Sequence, residues 1–181
     1  MVVTVSRKDD IKPMSPNPFR WNFRAQMLLG FLCCAALLGY ALHVQYNMLM
    51  FPCPLCILQR VAFVAMGAVF LLAGLHSPGS FGRKVYGLLI ALAAACGAGI
   101  AAWHLNIQYM PTSEIAMCSG LGLDYMLEAL PLQEVIQRVF TPSGECAKID
   151  WKLFGLSMPG WTLLWYLGLG AGTIWSAFRR R

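Results

Sequence analysis

Charge is scarce in this chain. Of its 181 residues, 14 are Lys or Arg and eight are Asp or Glu, 12% in all, against 58% apolar residues. A soluble globular domain carries roughly twice that charge, so the composition argues against one. The shortage is also uneven. No Asp, Glu, Lys or Arg occurs between Ala25 and Gln59, between Val61 and Gly82, between Val85 and Ser113, or between Leu153 and Phe178. A helix that crosses a bilayer needs roughly 20 residues with few or no charges, and each stretch holds one. Two other features are missing. There is no internal repeat or low-complexity segment, which excludes a repeat array, and the segments between the apolar runs are too small to be domains. No small-x-small site followed by a polar start trails the first apolar run, and that run exceeds a signal-peptide core, so it is expected to be retained.

The four runs predict spans at about Gln26–Tyr46, Ile57–Leu75, Val85–Ile107 and Trp161–Phe178, in one integral membrane domain covering 1–181. The formal charge of +6 could suggest an anionic partner, but its placement makes it a topology signal and not a nucleic-acid surface. Arg7, Lys8, Lys12, Arg20 and Arg24 precede the first span, Arg83 and Lys84 lie between the second and third, and Arg179, Arg180 and Arg181 follow the fourth. Ten of the fourteen basic residues thus fall where the positive-inside rule places cytoplasmic segments. The 1–25 tail and both termini are then expected inside. The loops at about 47–56 and 108–160 are expected on the opposite face. Six of the eight acidic residues, Glu114, Asp124, Glu128, Glu134, Glu145 and Asp150, lie in the long loop. Location also sorts the cysteines: Cys53, Cys56, Cys118 and Cys146 fall on the outer side, and Cys33, Cys34 and Cys96 within spans. Outside a bacterial inner membrane the compartment is oxidising, so two outer pairs read as disulfide chemistry. The three within spans read as small buried hydrophobes.

The stretch Cys53-Pro54-Leu55-Cys56 opens the second span. Proline is favoured at the first helical position, which makes Cys53 the cap and puts Cys56 in the first turn. There the positive end of the helix dipole favours a thiolate. Arg60 follows Cys56 by four residues, one turn deeper on the same face. An isolated arginine at a helix end usually snorkels to the headgroups. Beside redox cysteines, an ionisable group at membrane depth is a functional candidate that can stabilise a thiolate or polarise a carbonyl oxygen. Zinc is the other use of a Cys-x-x-Cys pair, but it needs about four ligands in a closed site. His43 and His104 are possible contributors among the three histidines, and both are expected within helices and not beside the cysteines. No metal is therefore expected.

Cys118 and Cys146 are separated by 27 residues of the long loop. Between them Leu132, Val135, Ile136, Val139 and Phe140 recur at helical spacing, opposite Gln133, Glu134, Gln137 and Arg138. This predicts a short amphipathic helix, begun at Pro131 and ended by Thr-Pro-Ser-Gly. It can lie on the outer leaflet or pack on top of the bundle. The expected architecture is therefore all-α: a membrane four-helix bundle with a long periplasmic loop carrying a short amphipathic helix.

The segments PCPLCILQR, AWHLNIQ and LPLQEVIQRVFTPSGECAKIDWKLFGLSMPGW closely resemble the DsbB family of disulfide-bond formation proteins in the inner membrane of Gram-negative bacteria. The resemblance covers most of the chain from the first span to the fourth. It implies a thiol:quinone oxidoreductase that reoxidises DsbA, a periplasmic thioredoxin-fold oxidant, using ubiquinone or menaquinone as acceptor. By position, Cys118 would form the mixed disulfide with DsbA and Cys146 would be its partner. Cys53 would exchange with Cys146, and Cys56 would face the quinone. Arg60 and His104 would line the quinone site, together with Met158 and Trp161. One departure is Gln59, where the resemblance leads one to expect an acidic residue. Read from the residues alone, a lone histidine such as His104 is more often a hydrogen-bonded packing residue. Cys56, nearest the membrane and Arg60, is the cysteine best placed to meet a lipid-soluble acceptor. A quinone takes two electrons, as closing one disulfide releases two, so the chemistry balances without metal or flavin. Two alternatives stand beside this. One is a vitamin K epoxide reductase-like quinone enzyme, whose Cys-x-x-Cys usually sits near a later helix. The other is a non-catalytic membrane module with static disulfides.

Overall fold

A computed structural model of the protein describes residues 22–48, 52–111, 123–149 and 151–178. Four long helices build it: α1 (Phe23–Met48), α2 (Pro54–His76), α3 (Ser80–Gln108) and, after the loop, α7 (Met158–Phe178). The loop contributes three short helices, α4 (Leu123–Ala129), α5 (Leu132–Phe140) and α6 (Gly144–Ala147). The protein is an all-α membrane bundle. Local signals set the helix ends. Cys53 caps α2 with extended backbone and Pro54 occupies its first position. At the other end Ser77 turns left-handed (φ 46°) and its N–H bonds the carbonyl of Ala73. Pro78 then prevents continuation.

α1 packs on α2, α2 on α3 and α3 on α7, whereas α1 and α7 touch little. Small residues let the α3–α7 pair approach, as expected where lipid supplies no hydrophobic drive between helices. A Cβ on Gly97 would overlap the Tyr166 ring, and one on Gly87 would overlap Ala177. These contacts pair early α3 with late α7, so the two helices run antiparallel. Both ends of the described bundle therefore meet at the α2–α3 turn. There Arg83 lies over the Phe23 ring at 5.3 Å and Lys84 over Phe178 at 6.0 Å.

The bundle core is formed by Met27, Cys34, Phe63, Met66, Phe70, Ile90 and Tyr166. Outside it the helices expose large apolar side chains, among them Leu32, Val61, Leu72, Leu75, Leu88, Leu92 and Trp175. Such a surface is stable only under lipid. Phe23–Asn47, Pro54–His76 and Ser80–Gln108 are each long and apolar enough to cross a membrane. α7 is equally free of charge over 21 residues. The helices begin three to five residues before the expected spans because caps and first turns extend into the interface. Of the three cysteines expected to be buried in the spans, only Cys34 is. Cys33 is half-buried and Cys96 is exposed, because α3 turns Cys96 away from its partners.

A second cluster closes the end that carries Cys53. Leu55 and Ile107 from the long helices meet Met126, Val135, Val139 and Cys146 from the loop. The amphipathic helix spans Leu132–Phe140, with Val135 and Val139 buried while Leu132, Ile136 and Phe140 stay exposed. Its apolar stripe is wider than the contact with the bundle, so it both packs on top and presents an apolar edge outward. An antiparallel hairpin, β1 (Lys152–Leu153) and β2 (Leu156–Ser157), precedes α7. Its turn residues Phe154 and Gly155 both have positive φ, as tight hairpins require. The sequence reading did not anticipate this hairpin or α4. A strand pair of two residues each is too short to show an alternation.

Candidate functional site

The site forms where the N-terminus of α2, the C-terminal end of α3, the start of α7 and the loop helix α6 converge. The capping geometry of α2 aims both of its thiols at this point. The Cys56 N–H donates to Cys53 Sγ at 3.4 Å, and the two sulfurs are 3.0 Å apart. α3 contributes His104, which is 2% exposed, with Nε2 at 3.8 Å from Cys53 Sγ and 3.1 Å from the Cys146 carbonyl oxygen. α6 contributes Cys146, 1% exposed. The donor atoms of Cys53, His104 and Cys146 all lie within 4.8 Å of one another. The expectation that His104 sits away from the cysteines is thereby corrected. It is within its helix, as expected, but at the end that closes over Cys53. His43 is elsewhere, exposed and bonded to Asn47. Cys118 lies outside the described residues.

Behind His104 stands Gln59, buried and singled out by the sequence only as a departure. Its side-chain nitrogen is 3.3 Å from His104 Nδ1, and its side-chain oxygen accepts from Thr162 Oγ1 at 2.8 Å. The Tyr166 hydroxyl donates to its backbone carbonyl at 2.5 Å. One residue of α2 thus ties α3 and α7 together with neutral hydrogen bonds. An isolated carboxylate there would carry the cost of a buried charge. Arg60 reaches across to α1, donating to the Gln45 side-chain oxygen and, at 3.3 Å, to the Ala41 carbonyl. No carboxylate among the described residues pairs with it; the ion pair found there is Arg138–Glu134 on the surface of α5. Gln45, Ala41, Thr162 and Tyr166 were not anticipated. Their roles arise between helices and leave no local spacing signal.

Cys53, Cys56, Arg60, His104, Met158 and Trp161 all line one cavity of about 430 Å³. Gln59 and Thr162 share its wall, and Leu37, Leu38, Val44, Phe63 and Trp165 make it largely apolar. Trp161 is held by a bond from Nε1 to the Leu153 carbonyl at 3.1 Å, so the hairpin fixes one side of the cavity. The volume falls within the 300–1,000 Å³ of typical small-molecule sites. Arg60 supplies a cation whose partners are both neutral.

The Cys146 thiol is pushed up in pKa, chiefly by its hydrogen bond with Cys53, then by burial and by the nearby Cys53 sulfur. A thiol held protonated is a poor leaving group, whereas a cysteine in the first turn of a helix leaves readily. In exchange among Cys146, Cys53 and Cys56, this asymmetry favours joining Cys146 to Cys53 and releasing Cys56.

Comparison with known proteins agrees with this chemistry. Residues 23–176 match the family described as Disulfide bond formation protein DsbB. The chain is 48% identical over 166 residues to the Disulfide bond formation protein B of Xanthomonas euvesicatoria pv. vesicatoria, covering 91% of this chain and 96% of that one. It is 48% identical over 158 residues to that of Methylobacillus flagellatus, covering 87% and 95%. It is 46% identical over 154 residues to that of Xylella fastidiosa, covering 84% and 88%. With a matched segment running from the first residue of α1 almost to the end of α7, and Cys53, Cys56 and Cys146 gathered at one end of the bundle, the chain belongs to the DsbB family of disulfide bond formation proteins.

Proposed function

We propose that the protein passes electrons from a periplasmic DsbA-like thiol oxidant, through two cysteine pairs, to a membrane quinone. Disulfide formation is the family's role, and the vitamin K epoxide reductase-like alternative falls with the family match. The observation that carries the finer reading is the position of Cys53. Its sulfur lies 3.0 Å from that of Cys56 and within the same 4.8 Å cluster as that of Cys146. It is therefore placed to exchange with either.

In this reading, reduced DsbA attacks the Cys118–Cys146 disulfide at Cys118. The second thiol of DsbA resolves the mixed disulfide, leaving Cys118 and Cys146 as thiols and DsbA oxidised. Cys146 then attacks Cys53 and releases Cys56 as a thiolate beside Arg60. Cys118 attacks Cys146 in turn, which restores the Cys118–Cys146 disulfide and leaves Cys53 as a thiol. The dithiol Cys53–Cys56 closes again as two electrons and two protons leave for the acceptor. A bound quinone supplies that two-electron, two-proton sink. Arg60 would hold its oxygen, and Met158, Trp161 and His104 would wall the ring within the cavity. The arrangement fits such a group because the cavity is largely apolar and borders Cys56, and Arg60 on its wall has neutral hydrogen-bond partners. Both termini and the α2–α3 turn, where Arg83 and Lys84 sit, would face the cytoplasm of the inner membrane, with the cysteines on the periplasmic side.

The test is quinone reduction by the purified protein supplied with reduced DsbA. Stoichiometric quinol and oxidised DsbA are expected. No quinol formation, with the four cysteines staying oxidised when quinone is withdrawn, would favour static disulfides.

A further inference from the structure

We propose that Cys53, Cys56, Cys146 and His104, when all three cysteines are thiols, form a zinc site. Four donors of this kind, three sulfurs and one imidazole, make up a common closed tetrahedral zinc set. With Zn–S of about 2.3 Å and Zn–N of about 2.0–2.1 Å, a tetrahedral site places sulfurs about 3.8 Å apart and sulfur and nitrogen about 3.6 Å apart. Cys53 Sγ and His104 Nε2 are already at 3.8 Å. Cys56 Sγ, 3.0 Å from Cys53 Sγ, stands outside the cluster of Cys53, His104 and Cys146 and joins it as the fourth ligand by rotation about its side chain. Cys146 is within 4.8 Å of Cys53 and His104 and is carried on the four-residue α6, an element short enough to shift by about an ångström.

The surroundings match the set. A metal-binding histidine usually gives its other ring N–H to an oxygen acceptor that fixes its orientation. Gln59 stands at His104 Nδ1, and turning its amide over puts the side-chain oxygen there. Thr162 can follow that turn, since its hydroxyl has the Pro159 carbonyl, 2.9 Å away, as a second acceptor. Zinc takes the place of the proton that Nε2 shares with the Cys146 carbonyl. Three thiol protons pass to solvent and nothing is oxidised. The site then carries one net negative charge, which Arg60 on the same cavity wall offsets. Burial of Cys53, His104 and Cys146 closes the site against water, as structural zinc requires. The oxidised protein lacks the thiols, so the metal is held only by the fully reduced form. Zinc therefore stops the relay in its dithiol state; that consequence rests on the function proposed above, whereas metal retention does not.

The experiment is equilibrium dialysis of the full-length protein in detergent, freed of quinone, reduced and kept anaerobic, against buffered zinc chloride. Metal content is then measured by mass spectrometry. One zinc per reduced chain and none per oxidised chain is expected. Changes to the groups that only orient metal ligands cost about 10- to 100-fold in affinity, so His104→Ala and Cys146→Ser, which remove ligands, should each lose at least that much. Cobalt in place of zinc should show tetrahedral d–d absorption with sulfur charge-transfer bands. Cys118→Ser should keep the metal. Absence of metal from the reduced wild type overturns the proposal, as does retention undiminished in both His104→Ala and Cys146→Ser. So does loss in Cys118→Ser equal to that in Cys146→Ser.

Discussion

Replacing Arg60 by Met removes the guanidinium and keeps a long apolar stem on α2. In the native protein that guanidinium is satisfied by two neutral oxygens, the Gln45 side chain and the Ala41 carbonyl. No described carboxylate neutralises it, so its charge is available to an anion forming in the adjoining cavity. A hydrogen bond to a charged group contributes about 1.5–3 kcal/mol, which converts to a roughly 10- to 150-fold loss in quinone affinity or rate. Steady-state quinol formation against quinone concentration measures the loss, and a single-turnover reaction with reduced DsbA measures the thiol steps separately. The quinone response should fall while the first DsbA oxidation proceeds. Gln45→Leu is the control for a merely structural role, because it breaks the tie to α1 and keeps the charge. That bond too is made to a charged group, so losing it costs about 1.5–3 kcal/mol of stability, and the quinone response should change little. A quinone response unaltered in Arg60→Met, or one impaired equally by Gln45→Leu, refutes the reasoning.

In Cys146→Ser the Cys118 thiol can attack oxidised DsbA but has no neighbouring thiol to draw it back into the Cys118–Cys146 disulfide, so a covalent adduct with DsbA should accumulate on non-reducing gels. Peptide mass spectrometry should map it to Cys118, and an adduct at Cys53 or Cys56 would reverse the assignment of the pairs. Replacing Cys33, Cys34 and Cys96 together by Ala should leave oxidase turnover within a few-fold of wild type; a loss beyond about tenfold at normal membrane expression would imply a thiol role for one of them. Of the causes that raise the Cys146 pKa, the hydrogen bond with Cys53 is lost once Cys53 and Cys56 are joined, but burial remains, so the thiolate fraction keeps growing with alkalinity. The rate of exchange between Cys146 and the Cys53–Cys56 pair should therefore go on rising with pH beyond the ordinary thiol pKa of about 8.5; rapid quenching with an alkylating agent reads it, and a plateau there would contradict the buried thiol. Gly97→Ala drives a methyl into the Tyr166 ring, which stacks on Phe63 at 4.2 Å and holds the Gln59 carbonyl. Overpacking of this kind typically costs about 1–3 kcal/mol, measurable as a lower unfolding midpoint in detergent, and unchanged stability would mean the ring has room to move.

What the sequence by itself determined is what depends on local composition and spacing. Four charge-free runs give four long helices, three of which are long and apolar enough to cross a membrane. Cys53-Pro54 is a helix start wherever it lies, because a cap and a ring-locked φ act within one turn. The stripe Leu132, Val135, Ile136, Val139 and Phe140 is a helix with an apolar face whatever covers it. Basic residues cluster at Arg83–Lys84 and towards the termini, and the described bundle ends, Phe23 and Phe178, meet Arg83 and Lys84. The tertiary structure decided which faces meet. Successive helix residues point about 100° apart, so the rotation of α3 that brings His104 onto Cys53 while turning Cys96 outward is set by small-residue packing against α7. A uniformly apolar helix does not advertise that rotation in its own sequence. The same holds for Gln59, whose partners His104 and Thr162 lie 45 and 103 residues away, and for Arg60, whose partners lie on α1. Cys146 meets Cys53 only because α4, α5 and α6 fold back over the bundle end. That is a long-range contact, stabilised by burying Val135, Val139 and Met126 against Leu55 and Ile107, and it has no signature in either segment alone.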